Sequence, residues 1–388
     1  MSIRLSAFDL VPVPAGSGPE AAVQNSLDLA ARVEQAGYHR LWYGEHHLNP
    51  GVIGYSPALT IALAGSVTSR IRLGSGAVLA GHRTALSVAE EFGLLEAAFP
   101  GRIDLGLGRA GLRKPDAPAS EAATSNSAQD RYTDEGLFLP AQPDLSGIFG
   151  SPRYAAQRKL LNQPGAQPGP YDQYVDDLLD FFHDRTVAEG VQITGTTPEV
   201  TPPQIWVLGS SAGDSSEVAA TRGLRFGANY HVAPSKVIEA VEHYRQAFRP
   251  SEQLDSPWVI VSAEVLVADT DEQAQHLANG YAQWVHSIRT GQGAIYYPTP
   301  ETAHATQLPT TEYPLVADRI NTRFVGTAEH VVHQLQVLQR ATGADELLIS
   351  SISHDHQARV RSFELLAEAW HTAQDQQSGR RSPAIVSS

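Results

Sequence analysis

One pattern constrains this chain most. Short runs rich in β-branched and aromatic residues recur along it, separated by longer stretches whose apolar positions return every three or four residues. The short runs fall at 3–8, 40–43, 71–78, 102–107, 204–208, 224–229, 258–267 and 346–350. Between them, Ala85, Val88, Phe92, Leu95 and Phe99 share one helical face, as do Val23, Leu27, Ala30 and Val33, and later Val360, Phe363, Ala367 and Trp370. Such stripes need a surface to pack on, and a sheet supplies it. Strand–helix alternation implies parallel strands joined by right-handed crossovers. Eight units point to the α/β class and a closed (β/α)8 TIM barrel. An open, doubly wound sheet is the alternative, but no GxGxxG opens a helix after the first strand.

Two stretches break the rhythm. Residues 109–170 are rich in Pro, Ala, Ser, Gln and Gly and read as a long insertion after strand four. Residues 287–323 read as another, after strand seven and its helix. Both are expected near the catalytic rim, where long loops serve as lids or binding loops. The domain reading is one barrel over 1–374 with a disordered polar tail at 375–388.

Composition excludes several functions. A net charge of −14 argues against a nucleic-acid partner, which would call for clustered Lys and Arg. With no cysteine, disulfides, thiolate metal sites and a Cys nucleophile drop out. No apolar run reaches membrane-spanning length, and the first residues read as a strand rather than a signal peptide. The expectation is a cytoplasmic protein without a membrane or nucleic-acid partner.

Four segments could carry chemistry. Glu45-His46-His47 follows strand two, at the barrel end where active sites form. Histidine exchanges protons near neutral pH, though a structural pair bonding loop carbonyls would use the same residues. Neighbours on extended chain point opposite ways, so one His is expected to face the site. Arg109, after Gly106-Leu107-Gly108, offers a planar fork suited to phosphate, or to a rim carboxylate. Ser210 and Ser211 precede a helix at about 214–221, whose N-terminus could hold an anion. Asp214 with Glu217 resembles a capping box there and would repel that anion. Gly74 to Ala77 places glycines inside strand three, for a barrel corner or a close approach. His354-Asp355-His356 could pair on a metal, but Asp355 fits better as the cap of the last helix, so no metal is expected.

Together, LWYGEHHL (41–48), SRIRLGSGAVLAGH (69–82), AEEFGLLEAAFPGRIDLGLGRAG (89–111), PPQIWVLGSS (202–211), AATRGLRFGANY (219–230), FVGTAEHVVHQL (324–335) and GADELLISS (343–351) resemble the luciferase-like flavin monooxygenases, in the small-alkanal-monooxygenase-like branch. The resemblance covers most of the chain in order, apart from the two insertions. It implies a barrel that takes reduced FMN from a separate NAD(P)H:flavin reductase. Oxygen would then react through a C4a-peroxyflavin to oxidise a small organic substrate. It makes His46 and His47 the catalytic pair and Glu45 the carboxylate beside the flavin. It places a cis peptide at Gly76-Ala77 beneath the ring, and Arg109, Ser210 and Ser211 on the phosphate. It also suggests a homodimer. Related branches use F420 for hydride transfer on the same barrel, and a non-catalytic flavin-binding protein is a third class.

Overall fold

Strands β1 (Arg4–Asp9), β2 (Arg40–Tyr43), β3 (Arg72–Ser75), β4 (Ile103–Gly108), β5 (Gln204–Gly209), β6 (Arg225–Asn229), β7 (Val259–Val267) and β8 (Glu346–Ser350) pair in parallel, each with the next. β8 returns to β1, with Arg4 opposite Glu346, and this closes the barrel. The open-sheet alternative is thereby excluded. The computed structural model describes residues 3–109, 129–145, 151–162, 165, 169–196 and 199–380, with side chains described to 376. The outer ring comprises α1 (Pro19–Gln35), α2 (Pro57–Val67), α3 (Ala85–Ala98), α4 (Tyr171–Phe182), α5 (Asp214–Thr221), α6 (Val237–Ala247), α7 (Ala328–Thr342) and α8 (His356–Arg380).

Alternation along β7 shows how the sequence sorts its faces. Val259, Val261, Ala263 and Val265 join the core shared with the helices. Ile260 instead packs inside the barrel with Phe8, Trp42, Trp206 and Leu348. Both faces of a barrel strand are covered, hence its nearly unbroken apolar run. The stripe expected on α1 is rotated. Its buried residues are Ala22, Ser26, Leu29, Ala30 and Val33, while Val23 and Leu27 lie at the flank.

The barrel floor is ionic. Buried Arg40 bonds Asp104 at 2.5 Å and Glu346 at 2.7 Å, and its guanidinium lies 4.7 Å over the Trp206 ring. Arg72 adds a second cation on Asp104 at 2.7 Å, and Trp42 donates to the same carboxylate at 3.0 Å. Burial alone would raise the Asp104 pKa, but Arg40 and Arg72 hold it below its ordinary value.

Three expectations are corrected here. The third strand does not run through 71–78. It stops at Ser75, and Val78–Leu79 pairs separately with β4 beyond a cis Gly76-Ala77 bond. The late excursion lies between β7 and its barrel helix rather than after that helix. It starts with a helix at Asp271–Ala278 and ends where Phe324–Gly326 pairs with the top of β7. α8 continues past Asp375 to Arg380, into the segment expected to be a disordered tail. Residues 381–388 lie outside the described residues, as do 110–128 of the first insertion. The described part of that insertion holds a hairpin at Arg131–Tyr132 and Phe138–Leu139 and a helix at Pro152–Leu161.

The post-β7 excursion roofs the C-terminal mouth of the barrel. Tyr297 exchanges backbone hydrogen bonds with Val13 and Ala15 in the loop after β1, and Gly51 bonds the Ala294 carbonyl. A Cβ on Gly51 would overlap the Ile295 carbonyl, so the approach needs glycine there.

Candidate active site

Residues following the strands converge under this roof. After β2, the His46 amide donates to the Gly54 carbonyl at 2.8 Å, and its ring folds back over Gly44. A Cβ on Gly44 would lie 2.8 Å from His46 Cε1, so the missing side chain makes this ring position available. His46 Nδ1 is buried without a protein partner. Burial, with the neighbouring His47, lowers the His46 pKa to about 4, so the imidazole is neutral near pH 7.

His47 turns the other way, as expected for adjacent residues on extended chain. Its Nε2 lies 2.8 Å from Glu45, and its ring meets His82 edge-on at 6.1 Å. The second oxygen of Glu45 accepts from the Leu79 amide at 2.9 Å. Both oxygens of this buried carboxylate are therefore engaged by the protein, and they tie the end of β2 to the segment just past Gly76-Ala77.

The cis Gly76-Ala77 bond expected from the resemblance is present. Gly76 packs where a Cβ would sit 3.2 Å from both Phe8 and Trp42, and one on Gly108 would sit 3.2 Å from Ala77. A Cβ on Gly106 would collide with the Ser75 carbonyl. Gly106 and Gly108 of β4, and Gly76 just past β3, thus serve close packing of this side of the barrel.

Arg109 leaves β4 and forms an ion pair with Asp214. The rim-carboxylate alternative is therefore realised in this structure. Asp214 is the first residue of α5, and Gly213 is the N-cap. The expected Asp214/Glu217 box is absent. Instead Ser216 Oγ accepts from the Gly213 amide at 3.1 Å and meets His243 Nδ1 at 2.9 Å. Ser210 and Ser211 are exposed beside this helix, and Asn229 donates to Ser210 Oγ at 3.2 Å.

One residue here went unread in the sequence. His231 follows β6, its Nδ1 2.6 Å from Ser262 Oγ and its ring 6.0 Å from Phe8. Burial lowers its pKa to about 3, helped by the positive charge of Arg319 and, once protonated, by that of His46. The signal was available: His231 ends FGANYH, immediately beyond a strand's C-terminal end, which is the position that singled out His46.

His354 and His356 diverge. His354 bonds the Ala15 carbonyl at 2.9 Å, and His356 bonds Asp28 at 2.7 Å. Asp355 accepts from the Ala358 amide at 2.6 Å, as a cap should. Among the described residues, no three His, Asp or Glu side chains converge on a metal geometry, and no helix is long and apolar enough to cross a membrane. A cleft of about 470 Å³ lined by Arg4, His39, Arg70 and Trp370 opens at the opposite, N-terminal end of the barrel. Chemistry in such barrels sits at the opposite, C-terminal mouth.

The family model described as luciferase-like monooxygenase matches residues 3–133 and 177–346. A luciferase-like monooxygenase of Escherichia coli (strain K12) is 32% identical over 364 residues, covering 94% of this chain and 96% of that one. The crystal structure of apo-MsnO8 superposes with a TM-score of 0.74 at 29% identity, over 95% of this chain and 98% of that chain. The oxygenating constituent of 3,6-diketocamphane monooxygenase from Pseudomonas putida, in complex with FMN, superposes at 0.61 and 17% identity, over 95% and 98%.

Proposed function

Because the chain belongs to the luciferase-like monooxygenase family of flavin-dependent oxidoreductases, we propose that it is the oxygenase of a two-component system that uses reduced FMN and O2 on a small organic substrate. The observation that carries this reading is the shared mouth of His46, His231 and the Gly76-Ala77 wall, with Arg109, Ser210 and Ser211 on the rim. The family neighbour described as an oxygenating constituent holds FMN, which supports both the cofactor and a separate flavin reductase.

These residues fit the cofactor. Just past β3, Gly76 and Ala77 carry nothing larger than a methyl group, which suits the close approach of a flat ring. Arg109 and the exposed Ser210 and Ser211, beside the N-terminus of α5, suit a phosphate. Bound reduced FMN supplies two electrons that, with two from the substrate, reduce O2, so that one oxygen atom enters the product and the other leaves as water.

The chain's own residues do the rest. Neutral His46 accepts a proton and keeps a ring nitrogen free of protein partners to do so. His231, fixed by Ser262, is a second neutral imidazole within the electrostatic reach of His46. Glu45 and His47 act as positioning residues, holding the loop past Gly76-Ala77. Phe8, Trp42 and Trp206 keep the barrel interior apolar beneath the mouth, which excludes water from the reacting centre. We treat residues 1–374 as one catalytic domain.

His46→Ala tests the assignment. The expected result is retained binding of reduced FMN, with turnover reduced about 10²–10⁴-fold. Unchanged turnover would remove His46 from the chemistry.

A further inference from the structure

Arginines in the post-β7 excursion are ordinarily well satisfied. Buried Arg289 bonds Asp318 and the Leu315 carbonyl. Arg319 and Arg323 differ. Arg319 donates to Tyr281 OH at 2.8 Å, yet its Nε is buried without a partner. Arg323 lies 4.0 Å over the Tyr281 ring and donates to the Ala278 carbonyl at 3.1 Å, yet its Nε and Nη2 are buried and unpartnered. The hydroxyl of fully buried Tyr297 is likewise unpartnered. Neither arginine makes an ion pair among the described residues.

The place of this cluster matters. Arg323 immediately precedes Phe324, which pairs with Val265 at the top of β7. The adjoining residue Glu264 is buried in the mouth and held by Ser350 Oγ at 2.6 Å and the Ile352 amide at 3.1 Å. The field of Glu264 reaches Tyr281 together with both guanidiniums, and Tyr297 together with that of Arg323. Both oxygens of Glu264 are already taken by Ser350 and Ile352, so among the described residues it pairs with neither guanidinium. His231, whose neutral ring senses Arg319, connects the cluster to His46. Buried guanidinium donors without partners are costly, and a planar carboxylate is the group that satisfies them in a bidentate way.

We infer that Arg319 and Arg323, with Tyr297, form a recognition site for a carboxylate carried by the substrate, at the roof of the mouth entered by His46 and His231. This rests on the flavin-oxygenase reading of the mouth. The substrate class is then a monoanionic organic acid whose carboxylate is held at the post-β7 roof while its oxidisable end reaches the His46 side. The anion site on this roof is separate from the phosphate rim at Arg109, which lies at the ends of β4 and β5 and is paired with Asp214.

The test uses the full chain without flavin. Aliphatic monocarboxylates and the neutral amides of the same chain lengths are titrated by calorimetry and by thermal shift. Carboxylates are expected to bind and the amides not. Arg319→Met and Arg323→Met should each weaken carboxylate binding about 10–100-fold. Arg319→Lys, which keeps the charge but not the fork, should recover part of it and guards against a misfolded Arg323 variant. Equal binding of amides and carboxylates, no carboxylate binding at all, or undiminished binding by well-folded Met variants would each overturn the proposal. Reduced FMN is titrated anaerobically on the same proteins. Its affinity should be unchanged by the roof variants, and a large loss would reassign the arginines to the cofactor phosphate. Carboxylate binding without FMN binding would instead strike the cofactor reading and leave the anion site standing.

Discussion

The side chain of His46 is set by its neighbours before any ligand arrives. Gly44 gives its ring room, Gly54 fixes its backbone, and burial keeps it neutral. With a folded pKa of about 4, a rate that depends on neutral His46 should hold level through neutral pH and fall only as pH approaches 4. The same groups act on stability. The unfolded chain binds protons on His46 and His231 below their ordinary value of 6.5, whereas the folded chain does not until about 4 and about 3. Stability should therefore be fully present above pH 6.5 and drain away as pH falls toward those values. Melting temperatures across this range check it, and a combined His46→Gln, His231→Gln variant should show a shallower fall. Equal slopes would contradict the assigned burial. At this scale the sequence was informative where a residue closed a strand, as with His46 and Arg109. It was silent on Arg319 and Arg323, because they lie in an aperiodic stretch whose fold depends on distant loops at 10–15 and 49–54.

Elements were legible because parallel barrel strands are covered on both faces and so read as apolar runs. The third strand was overextended for the same reason: its apolar run crosses the cis bond at Gly76-Ala77 without a change in residue type. The link between β5 and α5 was misread at its cap, since Gly213 leaves no side chain to signal it and Ser216 makes the reciprocal bond. The pairing of Arg109 with Asp214 follows from that geometry. An acidic group next to a phosphate-binding arginine opposes the phosphate. Asp214→Ala should therefore bind reduced FMN about two- to fivefold tighter, and Arg109→Ala more weakly. Weaker binding by the Asp214 variant in an anaerobic titration would mean that the carboxylate aids the site, by orienting Arg109.

For the whole molecule, an apolar helix face stands exposed among the described residues. α2 has no charged residue and exposes Leu59, Leu63 and Val67 at helical spacing on one face, while Leu94 is exposed on adjacent α3. Exposed apolar side chains grouped in this way mark an association site, and we propose a homodimer through α2 and α3. Sedimentation velocity should show a dimer that Leu59→Glu with Leu63→Glu converts to monomer, and a monomeric parent protein would contradict it. The cofactor that the mouth accepts decides between the two readings, since solved structures with the same fold hold FMN in one case and an F420 adduct in another. The most direct measurement is a parallel anaerobic titration of the intact protein with reduced FMN and reduced F420, each complex then mixed with oxygenated buffer. Preferential binding of reduced FMN, oxidation by oxygen that differs from that of free flavin, and weakened binding in Arg109→Ala are expected. Preferential binding of F420 with no reaction toward oxygen would contradict the flavin-oxygenase reading and make the protein a hydride-transfer enzyme.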